Sequence, residues 1–158
     1  MRNIFKIFAV CAILAISGLS YGATTSGTVT LSQSNVGSLY KYKYDWTSDA
    51  SGNVVDNTLT IRGGYIQRVA VTSDDGATSP TNLYDFTIKD SDNFDVLQAN
   101  GANWATATDD SFCPVLKVTD DSTSTVTKIP VMGTMTLAIT NAGNARGGTI
   151  TIYVDSYR

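Results

Sequence analysis

A chain with no histidine cannot build a Ser-His-Asp triad, a Cys-His dyad or a metal site that needs an imidazole. The groups left with chemistry to offer are carboxylates, two thiols and aromatic rings. All 14 acidic residues are Asp and none is Glu. Asp90, Asp92 and Asp95 lie together in KDSDNFD, a spacing that invites a hard cation such as calcium, which takes several carboxylate oxygens. An EF-hand register fails, because Phe94 and Asp95 stand where Asp or Asn and then Gly are needed. The competing reading is a tight turn, since Asp and Asn accept hydrogen bonds from their own local backbone. Asp74 with Asp75, Asp109 with Asp110, and Asp120 with Asp121 are doublets in expected loops, where solvated charge is the default. A hydrolase built on two carboxylates would need one pair set apart from the rest, and nothing in the spacing does so.

The aromatic residues divide into two groups. Tyr40, Tyr42, Tyr44 and Trp46 alternate with Lys41, Lys43 and Asp45, which describes a strand with one apolar face. Such a stripe is core packing more often than a sugar platform. Trp104 stands instead in the loop sequence NGANWA. With its neighbour Asn103, and with Asn144 and Arg146 in NAGNARGG, it is a candidate for surface contact, the alternative for Trp104 being a plug for the open end of a sandwich. The loops expected to make contacts are 73–82, 98–108 and 141–148, because loops held by a rigid scaffold usually carry function.

The elements that must position these groups are strands. Thr is abundant, with 22 residues beside 15 Ser and 13 Gly, and Thr in place of Glu favours strand over helix. Period-two alternation is expected at 28–31, 39–46, 59–61, 65–71, 84–89, 94–97, 115–119, 126–131, 134–140 and 149–154. Pro130 inside one of these suits an edge or a bulge. The last two segments, joined by a polar Gly-rich loop, read as an antiparallel hairpin. Only 100–110 has room for a helical turn. The expected fold is all-β, an antiparallel β-sandwich or jelly roll of about nine short strands in one domain spanning 23–158.

Residues 1–22 read as a secretory signal, with Arg2 and Lys6 ahead of an apolar run over 7–16 and small residues Ser20 and Gly22 before the cut. The mature chain should begin at Ala23. The apolar run is shorter than the roughly 20 residues that span a bilayer, so no membrane association is expected after cleavage. Losing Arg2 and Lys6 takes the formal charge from −3 to −5, a balance that disfavours nucleic acid. It also removes Cys11, leaving Cys113 without an intramolecular partner. Flanked by Phe112 and Pro114, Cys113 is expected to be a small buried hydrophobe. No cofactor is expected, since no Gly-rich phosphate loop and no CxxC is present.

Several stretches together resemble a group of small structural proteins encoded by tailed phages: YDWTSDASGNV (44–54), GGYIQRVAV (63–71), SPTNLYDFTIKDSDNFDVLQANGANW (79–104), FCPVL (112–116) and GTMTLAITNAGNARGGTITIYV (133–154). The resemblance covers most of 39–154 in the same order, and the run from YDFTIKD through NFDVL to GAN is its most specific part. It implies a β-sandwich component of the virion surface with no catalytic residues. The leader departs from that group, whose members begin near the equivalent of Gly27. The expectation is therefore a non-enzymatic structural protein whose partners are copies of itself or other structural proteins. The alternative is an exported carbohydrate-binding or adhesive module that takes surface glycans.

Overall fold

A computed structural model describes residues 27–106, 109–120 and 123–156; the expected leader, 1–22, lies outside them. The described chain is nearly all antiparallel β, with a short 3-10 turn at Gly76–Thr78. Its strands are β1 (Thr28–Val36), β2 (Leu39–Thr47), β3 (Val54–Ser73), β4 (Asp85–Lys89), β5 (Asp110–Phe112), β6 (Val115–Asp120), β7 (Thr123–Lys128), β8 (Pro130–Thr140) and β9 (Gly147–Ser156). The main sheet runs β1-β2-β9-β3-β8-β4 with β5 on β3, and β6 and β7 form a separate two-stranded ribbon.

This sheet is curled into a sandwich by β3. Its first half, from Val54, pairs with β8, and its second half, from Gly64, pairs with β9. The segments expected at 59–61 and 65–71 are thus one strand serving both layers. Register shifts between Ile61 and Gly64, and between Ile66 and Arg68, mark the passage. Bulges of this kind bend a strand at the corner of a sandwich. Gly64 is required by space: a Cβ there would sit 2.2 Å from the Asp155 carbonyl oxygen. The second shift also changes the parity of the inward face, so that Ile66 and then Val69 and Val71 are all buried.

Between the layers lies a continuous apolar core. Tyr42, Tyr44 and Trp46 of β2, Ile150, Ile152 and Val154 of β9, Met135, Leu137 and Ile139 of β8, and Phe86 and Ile88 of β4 are all buried. Trp46 reaches across the sandwich to Tyr84, with ring centroids 5.8 Å apart. The aromatic stripe is therefore packing, as alternation predicts.

Four expectations are corrected. First, β8 and β9 are not a hairpin, because β3 lies between them, and the chain after Thr140 crosses from one layer to the other. Alternation fixes which face of a strand is buried, not which strand lies beside it. Second, residues 94–97 are not a strand: Asp95 makes only an isolated bridge to Lys89, turns begin at Val96, and Asp90 and Asp95 capture local N–H groups. Gln98 and Ala99 then take positive φ, at 55° and 60°, outside the extended range of a regular strand. Third, 126–131 divides at Ile129 into the end of β7 and the start of β8, where Pro130 is the first residue and so owes the ladder no donor. Finally, Cys113 is exposed. The short strand β5, which alternation did not reveal, turns Phe112 inward against Trp104 (centroids 5.7 Å apart), and the next residue points out.

Candidate contact surface

One end of the sandwich gathers the loops singled out by sequence. Ser48, just after β2, is buried. Its N–H donates to the Arg146 carbonyl (2.7 Å), and its hydroxyl donates to the Gly143 carbonyl (2.6 Å) while accepting from the Arg146 N–H (3.0 Å). Gly52 and Gly143, both at positive φ, allow the two loops to touch: a Cβ on Gly52 would lie 2.6 Å from the Gly143 nitrogen. Thr81 joins from the third loop, its N–H donating to the Ala142 carbonyl (2.9 Å) and its hydroxyl to that of Asn141. The Arg146 guanidinium donates to the Ala77 carbonyl.

Asp85 ties in the remaining loop. One carboxylate oxygen accepts the Asn103 N–H (2.8 Å) and the other accepts the Asn141 side-chain amide (3.0 Å). Asn103 has a positive φ of 53°, a conformation Asn tolerates through its short polar side chain. Trp104 follows it with its backbone paired to Tyr84 and its ring on Phe86 at 5.4 Å. The ring is only partly buried and packs against the core, so it closes the aromatic row from Trp46 through Tyr84 and Phe86 to Phe112. Asn144 is exposed at the tip of its loop, between Gly143 and Ala145, both at positive φ. Of the four contact candidates, Asn103 and Asn144 are displayed, and Trp104 and Arg146 are half-buried holders of the loops.

The calcium candidates do not converge. Among the described residues no group of three or more acidic or thiol side chains could hold a metal. Asp90 accepts the N–H groups of Asp92 (3.0 Å) and Phe94 (2.9 Å). Asp95 accepts those of Leu97 (3.0 Å), Ala99 (2.9 Å) and Ile88 (3.3 Å). Asp49, which sequence reading passed over, does the same for Ser51 and Asn53, each at 2.8 Å. Its signal was present in DASGN, an Asp two residues before Ser and three before Gly.

The Asp74 carboxyl has a raised affinity for its proton. Desolvation is the main cause, with Asp45 and Asp75 adding to it and Lys43 opposing it. It stands exposed at the start of a loop. An open groove over β3, β8 and β4 lies elsewhere, its lining including Thr58, Thr87, Lys89, Asp90, Asn93 and Thr136. Among the described residues no helix is long and apolar enough to cross a membrane. No family model, curated protein or solved structure matches this chain.

Proposed function

We propose that this chain is a non-enzymatic structural protein, exported by residues 1–22, that works by assembly or surface attachment in the manner of a virion surface component. The observation that supports this reading best is the use made of its carboxylates. Asp49, Asp85, Asp90 and Asp95 each accept backbone N–H groups from loop residues. Carboxylates held in this way stiffen loops. A surface ordered before contact loses little further entropy when it binds, and the short side chains of Thr, Ser and Asp have little to lose. The partners on this reading are copies of the chain or other structural proteins.

Screening the purified protein on a glycan array, beside Trp104→Ala, tests the reading against its main competitor. No sugar class should be retained, and the Trp104→Ala protein should behave as the parent does. Selective retention of one sugar class, lost in Trp104→Ala, would overturn the proposal in favour of a carbohydrate-binding module.

A further inference from the structure

The sheet has ends, and they are treated differently. Along the outer side of β4, the 94–104 segment acts as a cover: the Val96 N–H donates to the Ile88 carbonyl (2.8 Å), and the Phe86 N–H donates to the Gly101 carbonyl (2.9 Å). The edge strand β5 is only three residues long. At the other end, β1 has β2 on one side and, among the described residues, no hydrogen-bonded strand on the other, the start of β3 approaching only its first end at Gly27. It is nine residues long, in unbroken register with β2, and its sequence TVTLSQSNV contains neither charge nor proline. Sheets normally protect a long edge with a lysine, a proline, a bulge or a cover, because its free N–H and C=O groups are a template for another strand. β1 carries none of these among its own residues.

We propose that the outer edge of β1 is a self-association surface, on which β1 of a second copy docks antiparallel about a two-fold axis and joins two sandwiches through one continuous sheet. The inference rests on the assembly reading above and names its partner. A two-fold axis at Ser32 keeps all nine residues paired. It sets Thr30 opposite Ser34 of the partner subunit and Leu31 opposite Gln33 of the partner subunit. Because the strand is uncharged, self-pairing brings no like charges together. Strand addition takes its affinity from the main chain and its selectivity from side chains, and an isologous edge must match itself. A neutral row of small hydroxyl residues does so. The same pairing places Val36, which is 84% exposed, against Thr28 of the partner subunit.

Light scattering coupled to size-exclusion chromatography tests this with the purified protein and two double variants. Thr30 and Ser34 are both exposed, so the variants should fold, which thermal melting followed by circular dichroism checks. The parent should elute as a dimer. Thr30→Lys with Ser34→Lys places lysine against lysine twice and should raise the dissociation constant at least tenfold. Thr30→Lys with Ser34→Asp places lysine against aspartate and should restore the dimer. Association that survives the double-lysine change, or that the Lys/Asp pair does not restore, overturns the β1 edge while leaving assembly through another surface standing. A parent that is monomeric at every concentration overturns both. If the monomer also protects the β1 amides from hydrogen exchange, the edge is covered within the chain itself.

Discussion

The buried tyrosines show how unequal residues of one type in one core can be. Tyr42 and Tyr44 are both fully buried, so replacing either by Ala should destabilise the fold by about 3–5 kcal/mol, as large aromatic truncations in cores do. Removing only the hydroxyl should separate them. The Tyr42 oxygen accepts the Arg62 N–H at 2.9 Å, a donor freed from the ladder by the bulge at Ile61. Tyr42→Phe should therefore cost about 1–3 kcal/mol by orphaning it. The Tyr44 hydroxyl has no hydrogen-bond partner, and Tyr44→Phe should be neutral or stabilising. Urea midpoints of the four variants check the series; equal effects of the two Phe changes would contradict it. Tyr84 adds a dependence on pH. Burial pushes its phenol from 10.0 up to about 12, with Ser73 opposing and Asp109 assisting, and neither the Tyr84 nor the Ser73 hydroxyl meets a partner in hydrogen-bonding geometry. Tyr44 moves in the same direction through burial and the neighbouring Tyr42. The folded state then keeps protons that the unfolded chain has released, so stability is complete below pH 10 and falls as pH rises from 10 towards 12. Urea midpoints at pH 9 and pH 11 should differ in that sense, and less so in Tyr84→Phe. An unchanged difference in that variant would remove Tyr84 as the cause.

At the scale of elements, two features bear most on the loop end and the bend. Asp95 accepts three backbone N–H groups, those of Leu97 and Ala99 in the segment that covers the edge of β4 and that of Ile88 in β4 itself. Asp95→Ala should cost roughly 1–3 kcal/mol and raise hydrogen exchange across 95–104 before it does so elsewhere; uniform exchange throughout the chain would contradict that local role. Gly64→Ala meets the Asp155 carbonyl oxygen where β3 changes layers and should cost about 1–3 kcal/mol through overpacking, read as a lower melting temperature. A melting temperature equal to that of the parent would mean that the bend accommodates a Cβ. Much of this was legible in sequence: β2 from its alternating aromatics, β4 from Phe86 and Ile88, and the turn role of Asp90 from its neighbours. Residues 94–97 were misread because Phe94, Val96 and Leu97 carry the apolar content of a strand. Asp90 and Asp95 take the N–H groups of Phe94 and Leu97 that a strand partner would otherwise need.

For the molecule as a whole, composition sufficed for an all-β sandwich, and its topology was out of reach. Met135, Leu137 and Ile139 must face the same core as Ile150, Ile152 and Val154, yet facing one core does not make two strands neighbours. β3 comes between β8 and β9 because its bulges and Gly64 let one long strand enter both layers, a long-range outcome that no window of alternation contains. The loop end was found as separate segments, and their convergence through Ser48, Asp85 and Arg146 came only with the fold. If this scaffold acts by associating, sedimentation equilibrium of the purified protein over a concentration series will show it. The average mass should rise with concentration from one chain to two or more. A mass that stays at 16.8 kDa or less across the whole series would contradict it.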